Sequence, residues 1–313
     1  MDLPTKFLGA MIGSGLGDAL GELAFRYGDK NRLLARISDS DILTYTDDTA
    51  MTLALAESLT AVGDLDEERL GRTFHEYFTR EPWRGYGPGP PAIFARVAVT
   101  GVSYKEAARA LYDGQGSLGN GAAMRITPLA LYFFDSAQLY HKAEKSARIT
   151  HAHPIGIDGA AVQARAIALA LAWRSGKALQ PGPFVQDLIA FARTTLITAK
   201  LEKVLHLIEA DVTPAKAVAD LGLSVAVHES MPFSLYCFLR YPGRYEDCLL
   251  CAILNGGDRD TMGAMAGALS GAYLGTAAIP AAWQSKLENR RRIEALSRRL
   301  VELRSKPELK GSQ

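Results

Sequence analysis

The chain has 313 residues, long enough for one large core or two smaller ones. A formal net charge of +1 gives no overall field toward nucleic acid or anionic membrane, so neither partner is expected. With 48% hydrophobic and 22% charged residues, the composition is that of a water-soluble globular protein rather than a disordered one.

Three cysteines, Cys237, Cys248 and Cys251, are too few and too odd in number for a disulfide framework, and fit a reducing compartment. Cys248 and Cys251 form a C-x-x-C with no second pair to complete a zinc set, so they are read as small buried residues. The apolar run 7–17 is too short to cross a bilayer and continues into Asp18 and Glu22. A cytoplasmic monomer is expected.

Residues 7–24 read as a helix carrying Gly9, Gly13, Gly17 and Gly21. Each glycine costs a helix about 1 kcal/mol relative to alanine. Four at this spacing line one face, where a second backbone can approach. Gly263, Gly267, Gly271 and Gly275 repeat the pattern in a predicted helix over 262–275. The two are expected to be central and to pack on each other. Asp18 and Glu22 share a face four residues apart, among apolar neighbours that weaken a reading as a solvated acidic edge.

Thr44-Tyr45-Thr46-Asp47-Asp48-Thr49 opens the next apolar helix. Thr46 suits a cap and the aspartates suit a first turn, but two adjacent carboxylates repel, and a bound cation would relieve that. Residues 65–80 form an amphipathic helix. Arg84-Gly85-Tyr86-Gly87-Pro88-Gly89-Pro90-Pro91 reads as irregular loop, open either to a ligand or to plain solvent. Residues 104–112 are helical.

Gly114-Gln115-Gly116-Ser117-Leu118-Gly119-Asn120-Gly121 is a second glycine loop, leading to a helix over 122–134. Backbone N–H groups at such a start cradle phosphate, but the loop lacks the Lys-Ser/Thr of a nucleoside triphosphatase. Helices are predicted over 136–149, 155–175, 184–205, 214–221, 233–239 and 245–254. Thr150-His151-Ala152-His153 interrupts them, and its histidines are spaced wrongly for a helical zinc pair.

Asn255-Gly256-Gly257-Asp258-Arg259-Asp260-Thr261 repeats the hydroxyl-and-carboxylate composition of residues 46–48, again at a turn entering an apolar helix. Taken alone it is as well read as a cap as a hard-metal site. Together the two clusters offer four carboxylates and two hydroxyls, enough for two hard cations bridged by a shared aspartate. A long basic helix over 283–304 follows, then a disordered tail, 306–313, leaving residues 1–305 as one domain. No run alternates like a strand, so the fold class is all-α.

The stretches Gly17-Asp18-Ala19-Leu20-Gly21, Tyr45-Thr46-Asp47-Asp48-Thr49, Gly119-Asn120-Gly121-Ala122-Ala123-Met124-Arg125, Thr150-His151 and Gly256-Gly257-Asp258-Arg259-Asp260-Thr261 resemble, in order, the ADP-ribosylglycohydrolase family (dinitrogenase-reductase-activating glycohydrolase type). Arg84-Gly85-Tyr86-Gly87 and the segment from Glu229 to Arg240 look most like the branch that removes ADP-ribose from serine. The resemblance implies an orthogonal helix bundle around two Mg²⁺ or Mn²⁺ ions. Their implied ligands are Thr46, Asp47, Asp48, Asp258, Asp260 and Thr261.

It further implies that ADP-ribose lies in a cleft whose phosphates and ribose are held by Ser117, Leu118, Gly119 and Asn120, with His151, Gly85, Tyr86 and Gly87 lining the same cleft. Asp47, Asp48 and Asp260 are the implied catalytic carboxylates, and Glu22 is the one nearby acid that could join them. The chain departs from the family pattern at two positions. The usual glutamate after Gly-Asp-Ala-Leu-Gly is Phe25, and the middle of Asp-x-Asp is Arg259 instead of threonine. A helix ending before Phe25 would free Glu22 to reach the metals. Without such a carboxylate, the protein would bind ADP-ribose and turn it over slowly or not at all.

Overall fold

A computed structural model describes residues 2–173 and 178–305. The expected tail, 306–313, lies outside the described residues. The helices run Leu3–Arg26, Lys30–Asp39, Asp47–Val62, Glu67–Arg80, Gly89–Thr100, Tyr104–Arg109, Gly121–Met124, Thr127–Tyr132, Leu139–Ala147, Pro154–Ala172, Pro181–Phe191, Thr195–Glu209, Pro214–Leu221, Val227–Arg240, Tyr245–Leu254, Arg259–Leu274, Ala281–Lys286 and Arg290–Arg304. Among the described residues there is no strand, only single bridges between Leu43 and Leu287 and between Gly119 and Ala226. The fold is all-α.

The two glycine helices, Leu3–Arg26 and Arg259–Leu274, lie antiparallel and face to face. A Cβ on Gly13 would stand 2.3 Å from the Gly267 carbonyl oxygen, and one on Gly267 would stand 2.2 Å from that of Gly13. Gly9 meets Gly271, Gly17 meets Gly263, and Gly21 meets the Arg259–Asp260 backbone in the same way. The glycines are therefore spaced by the helix turn and fixed by the neighbouring main chain. The Tyr245 hydroxyl donates to the Gly13 carbonyl at 2.8 Å along this seam.

Other helices wrap the pair. Gln163 Nε2 on Pro154–Ala172 donates to the Met265 carbonyl, and Ser234 Oγ on Val227–Arg240 to that of Met262. Pro154–Ala172 is long and apolar enough to cross a membrane by composition alone, but most of it is buried inside this fold. Lys6 is itself buried, and its ammonium donates to the carbonyls of Leu171 and Trp173 at 2.7 and 2.8 Å, capping that helix's C-terminus.

Several predicted boundaries move. The helix over 122–134 breaks at residues 125–126, where Pro128 opens a new first turn. The one over 184–205 breaks at Arg193 and Thr194, whose N–H groups turn to the buried Asp158 carboxylate. The one over 283–304 breaks at Asn289, which adopts φ 53°. Gly89–Thr100 is a helix because Pro90 and Pro91 sit in its first turn, where no N–H is needed. Lys30–Asp39 was not predicted: it buries only Leu33 and Ile37, too little for a periodic signal.

Candidate active site

Residue Asp18 lies fully buried where the seam meets the start of Asp47–Val62. Its carboxylate accepts from the N–H and hydroxyl of Thr46, at 3.0 and 2.8 Å, and from those of Thr49, at 2.9 and 2.6 Å. Asp18 thus does from another helix what an N-cap side chain does locally, and Thr46 itself makes no capping bond. Burial pushes the Asp18 carboxyl up to about 6.

Gly21, packed on the backbone of Arg259 and Asp260, brings the second acidic start to the same place. Asp48 joins the two. Its Oδ2 accepts from the Thr46 hydroxyl at 3.2 Å and, at the outer limit for a bond, from that of Thr261 at 3.5 Å. Its Oδ1 is buried with no partner. Burial, and then the charges of Asp18, Asp260, Asp47 and Asp258, hold the Asp48 carboxyl well above the usual range. Burial and Asp18 push Asp47 up to about 7; burial, Asp258 and Asp18 push Asp260 up to about 8. A buried group of mutually repelling carboxylates is an unfavourable arrangement by itself.

The donor chemistry, carboxylates and hydroxyls only, fits a hard divalent cation, and the orphan Asp48 Oδ1 faces no competing donor. Still, among the described residues no three His, Cys, Asp or Glu side chains converge closely enough to hold a metal ion in common. Asp258 Oδ2 is held by Asn120 Nδ2 at 2.6 Å, and Asp260 Oδ1 by the Thr261 N–H at 2.9 Å.

Both predicted loops border this cluster. The Arg84 carbonyl accepts from the Asp47 N–H at 2.8 Å. Arg84 is an anchor: its guanidinium forks onto Glu288 at 2.8 Å, reaches Glu81 and stacks on Tyr45. Gly85 takes φ 89°, a conformation that favours glycine, and turns the chain toward Asp47. The Tyr86 hydroxyl is buried without a partner, with Asp47 among the charges it feels.

The loop of residues 116–120 is pinned on both sides. The Ser117 carbonyl accepts from the His153 N–H, the Leu118 carbonyl from that of Val227, and Asn120 N–H donates to Val225. Leu223 in turn accepts from the Asp258 N–H, so one short segment aligns the glycine loop with the acidic turn.

His151 lies against Gly119 and Gly121. The buried Arg125 donates to the Thr150 hydroxyl at 2.6 Å, and that hydroxyl lies 2.7 Å from His151 Nδ1. Since Arg125 can only donate, the hydroxyl's own proton goes to Nδ1, and the histidine's proton belongs on Nε2. Burial and then Arg125 depress His151 to about 3, so it is neutral. This Arg125–Thr150–His151 relay, and Asp18 as the hub of the first acidic start, were not assigned roles from sequence. The signal for Asp18 was present, a carboxylate inside a glycine-lined helix.

Glu22 is exposed, and Phe25 is 51% exposed. The helix continues through both to Arg26, so the early end that would have freed Glu22 does not occur.

A family model described as ADP-ribosylglycohydrolase matches residues 1–310. ADP-ribosylhydrolase ARH3 of Bos taurus is 32% identical, with 95% of this chain and 92% of the relative covered. ADP-ribosyl-[dinitrogen reductase] glycohydrolase of Rhodospirillum rubrum is 30% identical, covering 93% and 95%. A solved structure described as an ADP-ribosylglycohydrolase-related protein complex shares 26% identity at a TM-score of 0.68, covering 97% of this chain and 99% of the other.

Proposed function

The chain belongs to the ADP-ribosylglycohydrolase family, and from that premise we propose a metal-assisted cleavage of ADP-ribose from its acceptor at the joined acidic helix starts. It is a hydrolase of an ADP-ribose linkage. We assign Thr46, Asp47, Asp48, Asp258, Asp260 and Thr261 as the residues that would hold two divalent cations, Mg²⁺ or Mn²⁺. Asp258 and Asp260 would exchange Asn120 and the Thr261 N–H for a cation. Bound there, the cations supply charge neutralisation and an acidified water at neutral pH.

The chain's own groups do the rest. Ser117, Leu118, Gly119 and Asn120 hold the phosphates and ribose, and neutral His151 offers an Nε2–H donor beside them. Gly85 and Gly87 let the ligand approach the backbone, and Tyr86 offers a hydroxyl with no other partner. Asp47 and Asp48 stabilise the positive charge that develops at the anomeric carbon as its bond to the acceptor breaks. The ARH3-like sequence pattern favours serine as the acceptor.

The observation that carries this reading is the meeting of two acidic starts on Asp48, with one oxygen buried and unpartnered. The test is release of ADP-ribose from peptides modified on serine or on arginine, with Mg²⁺, Mn²⁺ or a chelator. Release that the chelator abolishes supports the proposal, and release that persists in chelator removes the cations from it. A second reading, an ADP-ribose binder with little turnover, is favoured by the absence of a carboxylate at Phe25. Tight ADP-ribose binding without release from any substrate would select it.

A further inference from the structure

A cavity of about 770 Å³ lies apart from the carboxylates, within the size range of small-molecule sites. None of the candidate cleft residues lines it. It is bounded instead by residues 114–115, just before the glycine loop, and by Ala152 and Pro154, just after His151. The two sites therefore share a wall.

The cavity's charge is one-sided. Lys105, Arg109, Arg148 and Arg193 line it against a single acid, Glu144. In a chain of net charge +1 this is a local concentration, not a reflection of composition. Glu144 is already paired with Arg148. Arg193 stacks on Tyr140, its guanidinium carbon 3.5 Å from the ring centroid, which fixes the fork without using its donors. Lys105 and Arg109 are exposed, stand four apart on one helix, and have no ion-pair partner among the described residues. Two like charges at that spacing repel.

One further carboxylate, Asp158, is buried near this wall. Its oxygens are occupied by the Tyr140 hydroxyl, the N–H groups of Arg193 and Thr194, and the Thr194 hydroxyl. It fixes the lining but has no free lone pair toward the cavity cations.

We propose that this cavity binds a ligand carrying a phosphate chain of at least two phosphates, either inorganic or part of a nucleotide. Arg109 and Arg193 offer the planar donor forks that match phosphate oxygens, and Lys105 adds a point charge. The site does not depend on the cations assigned to the acidic cluster.

The test is calorimetric titration of inorganic pyrophosphate, and separately of ADP, into chelator-treated protein. Pyrophosphate should bind the wild type, more weakly as salt is raised. Arg109→Glu and Arg193→Glu should each weaken it by about tenfold or more, while Ser117→Ala and Tyr86→Phe, on the cleft, should leave it unchanged. If ADP binds more tightly than pyrophosphate and loses its affinity in both reversals, the ligand is a nucleotide. ADP binding no tighter than pyrophosphate assigns the phosphate chain alone. No pyrophosphate binding, binding unaffected by both reversals, or binding lost in Ser117→Ala would overturn the proposal. Lys105→Glu provides a third reversal, on an exposed side chain, should either arginine variant fail to fold.

Discussion

The glycine seam and the acidic cluster are built from the same two helices, yet opposite physics holds each together. Along the seam, main chain meets main chain with no room for a methyl group. Its seven helical glycines cost about 1 kcal/mol each in propensity, and close packing along the whole contact offsets that. At the end of the seam, Gly21 delivers Asp260 to the neighbourhood of Asp18, Asp47 and Asp48, where burial and like charge oppose folding. The seam stabilises; the cluster is tolerated. A region that costs stability and is nonetheless held in place by a dedicated hub, Asp18, is placed there for chemistry.

The largest expected effect tests the seam. Gly267→Leu would drive a side chain into the Gly13 carbonyl, and should destabilise by about 3 kcal/mol or more, beyond ordinary overpacking. A denaturant melt matching wild type would break the comparison at its first term. Next comes the hub. Asp18→Ala leaves three buried donors, the Thr46 N–H and the N–H and hydroxyl of Thr49, without an acceptor and should cost about 2–3 kcal/mol or more. An unchanged melting midpoint would show that the first acidic start holds itself.

Smaller effects are read in the cluster. Glu22→Gln should keep full ADP-ribose release, because Glu22 is exposed on a helix that runs on to Arg26, while Phe25→Glu should gain about tenfold. A loss of about a hundredfold in Glu22→Gln, the low end of acid–base assistance, would instead make Glu22 the carboxylate the reaction uses. Finally, Asp48→Asn should raise the stability of metal-free protein near neutral pH, because folding no longer has to protonate or bury that carboxylate. A loss of stability in chelator would mean that the cluster is not strained.

The seam was legible in the sequence because its cause is local: a helix turn takes about 3.6 residues, so glycines spaced by four stay on one face. The acidic starts were legible for a similar reason, a residue composition that occurs twice. What escaped was set by partners distant in the chain. Asp18 caps a helix 28 residues away through Thr46, and Arg125 fixes the proton of His151 through Thr150. Likewise the turn at Arg193 and Thr194 is dictated by Asp158, which no window around residue 193 contains. Gly89–Thr100 differs for another reason: in sequence its prolines suit an irregular loop, whereas in a first turn they begin a helix.

The central claim is that the cluster's repulsion is relieved by two cations. Titration of Mn²⁺ into metal-free protein, followed by the fraction of ion remaining free, tests it most directly. The account predicts about two ions per chain and the loss of at least one in Asp260→Ala. Wild-type protein that takes up no Mn²⁺, or an Asp260→Ala variant that still holds the full complement, would contradict it.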